Sequence, residues 1–291
     1  MKLFFVLNPV AGKGKSIELM PIIKRICEKE NVEYMIKLTP RIGGAEDTAR
    51  WGIENNYKRI IAVGGDGTVN EVVNGITGSK AVLGVVPAGS GNDFVRSIGD
   101  PKEPEQCILD TIHGKVKTID LGMCNDRYFI NMASIGLDTQ VAIRTQKTKK
   151  YFSGSLAYLV SALLTIFSYK GWDLNIQIDG QAFHAKTLLT AIANGKFYGG
   201  GVLPTPDAKL DDGYFDICHV KHMSKEKMFR VLPKYMKGKH RDIKEVQLIK
   251  GKEILITSDC PFPINLDGEV SITNKAHFKL MENYIDIIVP K

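Results

Sequence analysis

The sequence predicts a two-domain α/β protein, with a doubly wound parallel sheet in its N-terminal part and a strand-rich C-terminal part. The chain has 291 residues, and single hydrophobic cores stop growing near roughly 250–300 residues. Up to about residue 118, buried-type apolar runs alternate with helical patterns, as in βαβ units. Beyond it, short strand-like runs are separated by Gly, Asp and Pro turns. We therefore expect domains at 1–118 and 119–276, with a last strand in 277–291 that could return to the first domain.

The N-terminal domain is predicted from its alternation of elements. Strands are expected at 2–7, 34–38, 59–63 and 82–86, and helices from Ser16, over 45–56 and from Val69. Ser16 is a plausible N-cap because apolar residues follow it at helical spacing. Glycine-rich loops follow three of the strands, at 8–15, 64–68 and 88–92. Because ligands of such sheets bind outside the carboxyl ends of the strands, these loops indicate one phosphate-binding crevice.

The C-terminal domain is predicted to be rich in β-strands. Strands are expected at 118–124, 128–132, 174–178, 188–193, 215–220, 253–257 and 284–289, and helices at 153–168 and 224–236. The apolar pattern of the helix at 153–168 favours a core position, because periodic apolar stripes usually face the core. A groove for lipid tails is the alternative. The apolar stretch of this helix is also shorter than the ~20 residues that a membrane span needs.

Composition excludes several classes of protein. Hydrophobic residues make up 44% and charged residues 24% of the chain, which is ordinary for a globular protein and argues against disorder. The five cysteines are odd in number, far apart and lack a C-x-x-C pair. This pattern excludes a disulfide framework and a thiolate zinc site, and it suits a reducing cytoplasm.

The positive charge is concentrated in one segment. The net charge is +7, and the segment 221–241 alone contains eight basic residues against Glu226. Apolar residues lie between these cations, as in stretches that contact an anionic membrane surface. The alternative is that this segment forms a solvated helix face, as most runs of charged residues do.

Standard nucleotide-binding signatures do not match. Gly14-Lys15-Ser16 could end a Walker A loop, but the required first glycine falls on Pro9. The two G-x-G runs lack the third glycine, whose positions hold Ile17 and Asn70. The sequence therefore supports neither a P-loop enzyme nor a Rossmann dehydrogenase.

The run GGDGTVNEVVNG at 64–75 is the most informative motif. Its glycines let backbone N–H groups approach phosphate oxygens, and the start of a helix adds partial positive charge. A carboxylate there would repel a triphosphate, so the role that best fits Asp66 is to bind Mg²⁺ or the water molecules around it. A plain turn-forming role for Asp66 is the alternative.

Four motifs together resemble the diacylglycerol kinase catalytic-domain family, especially the soluble bacterial lipid kinases. They are NPVAGKGK (8–15), GGDGTVNEVVNG (64–75), PAGSGNDF (87–94) and LDGE (266–269), in the family's order and spacing. The GGDGT core alone is shared with NAD kinases and phosphofructokinase-like folds. The resemblance covers essentially the whole chain, and it implies an α/β N-terminal domain that binds ATP and a β-sandwich C-terminal domain.

The resemblance also implies roles for individual residues. The nucleotide would be bound by Asn8, Thr39, Gly64, Gly65, Asp66, Gly67, Thr68, Val69, Asn70, Glu71 and Ser90. The family usually has Thr where Ser90 stands, and serine keeps the hydroxyl. The carboxylates of Asp66, Asp93 and Asp120 would arrange the catalytic Mg²⁺ through water, and Glu269 would be the general base. A structural Mg²⁺ would be held by Asp212 with the carbonyl oxygens of Lys209 and Tyr214.

The residues alone leave alternatives for these roles. Asp93 could be only a helix cap. Asp120 lies in a strand-like run, where a buried carboxylate is costly without a partner, so ion binding is one explanation. Asp267-Gly268 is first of all a hairpin signal, and turns such as this one commonly carry exposed charges such as Glu269. The residues around Asp212 could likewise form an ordinary turn.

These observations favour a cytoplasmic, peripherally membrane-associated, ATP- and Mg²⁺-dependent lipid kinase that converts diacylglycerol to phosphatidic acid. The resemblance adds a possible homodimer. One alternative is an NAD kinase-like enzyme, and another is a non-catalytic nucleotide-binding regulator whose basic segment binds a membrane or nucleic acid. No nucleic-acid-binding module is recognisable in the sequence, so we expect no nucleic-acid partner.

Overall fold

The computed structural model describes residues 1–41, 43–99, 103–148, 151–152 and 154–290. It folds as two compact units: unit 1 comprises Met1–Asp120 with Glu282–Lys291, and unit 2 comprises Leu121–Met281. The chain passes between the units within two strands, β5 (Lys115–Cys124) and β13 (Glu269–Val289).

Unit 1 is an α/β unit with a parallel sheet. Its further elements are β1 (Lys2–Leu7), α1 (Lys15–Lys29), β2 (Glu33–Leu38), α2 (Gly44–Glu54), β3 (Arg59–Gly64), α3 (Asp66–Ile76), β4 (Val82–Pro87), α4 (Asp93–Ile98) and α5 (Pro104–His113). The strand order is β2-β1-β3-β4-β13, and each of these neighbouring pairs is parallel. The end of β13 joins the sheet through pairing of Asp286 with Val82.

Side chains of β1 alternate between two helical layers, as doubly wound sheets require. Leu3, Phe5 and Leu7 share a buried cluster with residues of α1 and α5. Phe4 points to the opposite face and contacts Trp51 of α2, with ring centroids 5.5 Å apart. The predicted doubly wound fold of the N-terminal part is therefore confirmed.

The N-cap predicted at Ser16 is wrong. Helix α1 begins at Lys15, and its N-cap is Gly14, whose φ is +92°. The buried Ser16 hydroxyl instead donates a hydrogen bond to the carbonyl oxygen of Asn8, with an O···O distance of 2.5 Å. Ser16 thus fastens the loop after β1 to the first turn of α1.

Unit 2 is built on antiparallel strands. Its elements besides β5 and β13 are β6 (Arg127–Phe129), β7 (Met132–Gly136), α6 (Leu137–Thr148), α7 (Gly154–Ser168), β8 (Trp172–Ile178), β9 (Gln181–Ala193), β10 (Phe215–Lys221), α8 (Lys225–Met236), β11 (Val246–Gly251) and β12 (Glu253–Leu266). The strand order is β11-β10-β9-β7-β12-β13, and β8 pairs with β9 and β12. On β9, Ile192 joins one buried cluster while Ala191 and Ala193 join another, which also contains residues of α6, α7 and α8.

Helix α7 is only partly buried, although the sequence predicts a core position for it. Ser161, Thr165 and Ile166 are buried, whereas Leu163 and Phe167 are exposed. The helix therefore packs through its smaller and partly polar side and turns large apolar side chains to solvent. Within the part of the chain that the structure describes, no helix has the length and apolar character needed to cross a bilayer.

Candidate active site

Three loops of unit 1 come together at the carboxyl edge of the parallel sheet. They follow β1, β3 and β4, which are neighbours and therefore end at one edge. The Asn8 Nδ2 group donates to the Thr68 hydroxyl at 3.0 Å, which joins the first loop to the second. The backbone N–H of Ala88 donates to the carbonyl oxygen of Gly64 at 2.8 Å, which joins the third loop to the second.

Glycines make this convergence possible. A Cβ on Gly89 would lie 2.4 Å from the Gly65 Cα, and a Cβ on Gly12 would lie 2.1 Å from the carbonyl oxygen of Ala88. Gly12 also has a φ of +59°, which favours glycine. A Cβ on Gly67 would meet nothing within 4 Å. The first turn of α3 therefore faces open space, in an arrangement that suits phosphate oxygens.

Two carboxylates from different loops face the same point. The Asp66 Oδ2 and Asp93 Oδ2 atoms lie 2.9 Å and 3.1 Å from the position of a Cβ on Gly91. The Asp66 Oδ1 atom accepts the backbone N–H of Phe94 at 3.1 Å. Burial raises the pKa of Asp66, and the hydrogen bond from Phe94 opposes that shift. Two carboxyl groups at one place are suited to binding a cation.

The remaining predicted nucleotide residues of unit 1 occupy varied environments. Thr39 is buried after β2, and its N–H donates to the carbonyl oxygen of Leu7 at 2.9 Å. Val69 and Asn70 are buried in α3, whereas Ser90 is exposed in the loop after β4. The Glu71 carboxylate accepts the N–H of Ala45 at 2.8 Å, so it holds α3 against the start of α2.

Asp120 is buried on β5. Its Oδ1 atom accepts the backbone N–H of Asn283 on β13, with a distance of 2.8 Å. The backbone of β13 thus provides a hydrogen-bond partner for a carboxylate that the sequence places inside a strand. This bond lies within unit 1, to which both residues belong.

Glu269 follows a tight turn in unit 2. Asp267 and Gly268 have φ values of +48° and +101°, and Leu266 pairs with Glu269, which confirms the predicted hairpin. The Glu269 side chain is 45% exposed, and its Oε2 atom lies 3.5 Å from a guanidinium nitrogen of Arg127.

Sequence reasoning treated Asp267 only as part of the turn. The structure shows a buried carboxylate that accepts three successive backbone N–H groups, from Ile130 at 2.7 Å, Asn131 at 3.2 Å and Met132 at 2.7 Å. Asp267 therefore ties the hairpin that carries Glu269 to the start of β7. The LDGE run contained the residue, but only the fold places it beside those N–H groups.

We expect Asp267→Ala to lower the free energy of unfolding by about 3 kcal/mol, because it leaves several buried N–H groups without their acceptor. Chemical denaturation of both proteins measures this effect. The matched control is Asp259→Ala, which removes an exposed carboxylate of the same unit. Equal stability of Asp267→Ala and wild type would show that these hydrogen bonds contribute little.

Two protein-family models together match most of the chain. Residues 2–124 match the model of the diacylglycerol kinase catalytic domain, and residues 131–289 match that of the YegS C-terminal NAD kinase beta sandwich-like domain. The chain is 34% identical to a diacylglycerol kinase of Staphylococcus epidermidis over 288 residues, which cover 98% of this chain and 91% of the relative. A diacylglycerol kinase of Staphylococcus saprophyticus is 32% identical over 98% of this chain and 94% of the relative.

The chain belongs to the diacylglycerol kinase family. A solved structure from Bacillus anthracis, 26% identical, covers 99% of this chain and 96% of its own, with a TM-score of 0.78. A diacylglycerol kinase structure from the same organism has a TM-score of 0.74 at 23% identity, over 99% of this chain and 96% of its own, and shows the fold alone. The predicted combination of an α/β domain and a β-sandwich domain is confirmed, and the chain is a kinase of this family.

The kinase has an ion pair where the sequence predicts a structural metal site. The Asp212 Oδ2 atom lies 2.5 Å from the Lys250 ammonium, and its Oδ1 atom accepts the N–H of Tyr214 at 3.2 Å. The hydrogen bond that the Lys250 ammonium donates to Asp212 raises the pKa of Lys250. Lys209 is exposed in the same turn. Among the described residues, no group of three or more His, Cys, Asp or Glu side chains could hold a metal ion.

A second buried carboxyl of unit 2 was missed by sequence reasoning. Asp138 lies in the first turn of α6, just after β7, and its Oδ1 atom accepts the backbone N–H of Thr139 at 2.8 Å. Burial raises the pKa of Asp138 to about 6, although hydrogen bonds from Thr139, Ser134 and Tyr198 oppose the shift. The isolated aspartate in the sequence gives no sign of this burial.

Replacing Asp138 should change the pH dependence of stability. Since its pKa in the folded state, about 6, exceeds the ~3.9 of an unfolded aspartate, the folded state binds the proton more tightly. The stability that this group contributes at low pH is lost as the pH rises through about 6. Asparagine does not titrate. The unfolding free energy of Asp138→Asn relative to wild type should therefore be about 2 kcal/mol higher at about pH 7.5 than at about pH 4.5. Denaturation at both pH values measures this difference, and Asp126→Asn, at an exposed site, is the control. A difference that does not vary with pH would contradict the raised pKa.

Proposed function

We propose that this kinase transfers the γ-phosphoryl group of ATP to a lipid hydroxyl, with diacylglycerol as substrate and phosphatidic acid as product. Unit 1 binds the nucleotide and unit 2 binds the lipid. The observation that carries the proposal is the joining of three glycine-rich loops at one sheet edge, where Asp66 and Asp93 face the same point. The names of the curated relatives supply the substrate.

The nucleotide phosphates bind to the backbone between Gly65 and Glu71, next to the open space at Gly67. Asn8, Thr39 and Ser90 complete the nucleotide site. The carboxylates of Asp66 and Asp93 fit a magnesium ion, because two loops direct them to one place. Asp120 is proposed to act with them through water. When bound, Mg²⁺ neutralises charge on the phosphate oxygens during transfer.

Glu269 acts as the general base. It accepts the proton of the lipid hydroxyl as the hydroxyl oxygen forms its bond to the γ-phosphorus, and ADP leaves with the electrons of the broken P–O bond. The exposure of its carboxylate leaves it accessible to a substrate. A guanidinium nitrogen of Arg127 lies 3.5 Å from its Oε2 atom, close enough to orient the carboxylate.

The structural Mg²⁺ at Asp212, Lys209 and Tyr214 stays a prediction. Because Lys250 contacts the Asp212 Oδ2 atom, a cation that binds there must displace this ammonium group. The homodimer also stays a prediction, which sedimentation velocity measures directly.

We also propose that the segment 221–241 contacts an anionic membrane. It contains α8, which begins at the N-cap Ser224 and continues through Pro233. Lys221, Lys234, Lys237 and Lys239 are exposed. Their replacement with Gln should weaken binding to vesicles that contain phosphatidylglycerol by roughly a hundredfold or more, since each basic residue near such a surface contributes about 1 kcal/mol. The control replaces four exposed lysines of unit 1, which are Lys24, Lys29, Lys58 and Lys80. Equal losses in the two variants would show only a general charge effect.

The direct test of the enzymatic proposal is transfer of labelled γ-phosphate from ATP to diacylglycerol in vesicles. Labelled phosphatidic acid is expected with Mg²⁺, and none is expected after chelation with EDTA. Transfer of equal rate in EDTA would contradict the magnesium-dependent mechanism, and the absence of any labelled lipid would contradict the proposed substrate.

A further inference from the structure

Helix α7 turns five large apolar side chains to solvent. We call Leu156, Leu159, Leu163, Leu164 and Phe167 the α7 face. These residues are 37% to 61% exposed, and their spacing places them on one side of the helix. Tyr151 and Phe152, just before α7, are exposed as well. Exposed apolar residues that lie singly are normal, but a contiguous group marks an interaction surface.

The opposite side of α7 fixes this orientation. The Ser161 hydroxyl is buried and donates to the Ala157 carbonyl oxygen at 2.7 Å, and its oxygen lies 3.0 Å from the Thr148 hydroxyl oxygen. The Thr165 hydroxyl is buried and donates to the Ser161 carbonyl oxygen at 2.7 Å. Ser161 and Thr165, whose hydroxyl groups are hydrogen-bonded, therefore form the packed side of the helix together with Ile166. Rotating α7 to bury its leucines would force these residues out and bring larger ones into a packed space.

Cationic residues lie beside the α7 face. The Phe167 ring packs against Phe229 of α8, with ring centroids 5.2 Å apart. The Lys225 ammonium donates to the Phe167 carbonyl oxygen at 2.6 Å. Arg230 and Lys234 of α8 are exposed, whereas α7 itself contains no charged residue. An apolar helix face bordered by exposed cations is complementary to an anionic bilayer, because the acyl-chain region is apolar and the lipid phosphates are negatively charged.

We propose that the α7 face enters the acyl-chain region of an anionic bilayer while the cations of α8 contact the lipid phosphates. A bilayer is favoured over a second copy of this chain because a second copy would bring the same positive charges to the contact. The 15 residues of α7 are fewer than the ~20 that cross a bilayer, so the helix lies along the surface. This inference rests on the proposed function, since a lipid kinase reaches its substrate at the membrane surface.

The test compares two double variants with wild type in binding to sedimented vesicles of phosphatidylcholine and phosphatidylglycerol. Leu159→Gln with Leu163→Gln should weaken binding roughly tenfold or more, because apolar surface no longer leaves water. The control, Leu248→Gln with Val116→Gln, removes similarly exposed apolar side chains away from α7 and should stay within about twofold of wild type. Equal affinity of the two variants would overturn the proposal. So would a wild-type dimer that is lost only in the α7 variant, because a second copy would then cover this face.

A spectroscopic measurement keeps the proposal testable if the α7 variant folds poorly. Cys260 is the exposed cysteine among the described residues and is replaced by Ser. A polarity-sensitive dye on Leu163→Cys should shift to shorter wavelength when vesicles are added, whereas the same dye on Leu248→Cys should not. The absence of a shift at position 163 in vesicle-bound protein would contradict insertion.

Activity separates this inference from the proposed function. Transfer to a short-chain diacylglycerol that is dissolved as single molecules should be equal, within about twofold, in wild type and in the α7 variant. Loss of this transfer in the folded α7 variant would contradict a role confined to the membrane surface. If wild type transfers phosphate to no lipid, the proposed function fails, while the vesicle and dye measurements still decide about the α7 face.

Discussion

The Glu269→Gln variant is expected to lose roughly 10²–10⁴-fold in phosphoryl-transfer rate while it binds ATP as wild type does. Glutamine keeps the volume of the side chain but cannot accept the proton of the lipid hydroxyl. Since Glu269 lies in unit 2 and the proposed nucleotide residues lie in unit 1, the substitution changes none of the proposed nucleotide-binding residues. Initial rates of transfer into vesicle-bound diacylglycerol measure the first effect, and titration with a fluorescent ATP analogue measures the second.

The control for this substitution is Glu253→Gln. Glu253 is an exposed carboxylate of the same unit, and it pairs with His277 at 2.6 Å and Lys279 at 3.8 Å. Its replacement should change transfer by less than about twofold, because isolated surface ion pairs contribute little. Near-normal turnover of Glu269→Gln would overturn the assignment of the base. Weakened ATP binding in that variant would indicate a different role for the carboxylate.

The Gly89→Ala variant is expected to lose ATP binding and about 2 kcal/mol or more of unfolding free energy. Its new methyl group would lie 2.4 Å from the Gly65 Cα and 2.9 Å from the Asn92 Oδ1 atom. Backbone atoms cannot give way as the end of a flexible side chain can, so the loops after β3 and β4 must separate. Thermal unfolding and ATP titration measure the two losses.

Gly67→Ala is the matched control in the same group of loops. A Cβ at this position meets nothing within 4 Å, so the variant should fold with wild-type stability. If phosphates occupy that space, the methyl group should still weaken ATP binding, by roughly tenfold. Wild-type stability of Gly89→Ala would show that the loops can separate at little cost. Unchanged ATP affinity of Gly67→Ala would place the phosphates elsewhere.

The fold of unit 1 could be predicted from the sequence because its strands are continuous apolar runs. The strand predicted at 2–7 matches β1, and the strands predicted at 59–63 and 82–86 fall within β3 and β4. Helix α6 was missed because it combines few apolar residues with several polar ones. The long strand β13 was predicted only at its end, since its middle is polar and largely exposed. Pairing with β12 stabilises that part, and pairing cannot be read from one strand.

Whether a feature of the candidate site could be predicted from the sequence also depended on the kind of contact that forms it. The glycine-rich loops could be recognised because close backbone contacts require residues without a side chain. The hydrogen bonds of Asp267 and the ion pair between Asp212 and Lys250 join residues that are far apart in the sequence. No local pattern records such contacts. The orientation of α7 was missed because an apolar helix predicts a core position whichever way the helix turns.

The choice of phosphoryl acceptor distinguishes a lipid kinase from an NAD kinase and from a protein that only binds nucleotide. Labelled γ-phosphate from ATP and Mg²⁺ is offered to anionic vesicles that contain diacylglycerol, a sphingoid base, undecaprenol and phosphatidylglycerol, with NAD in a parallel reaction. We expect labelled phosphatidic acid and no labelled NADP. Label in NADP alone, or nucleotide binding without transfer to any lipid, would contradict the proposed lipid kinase activity.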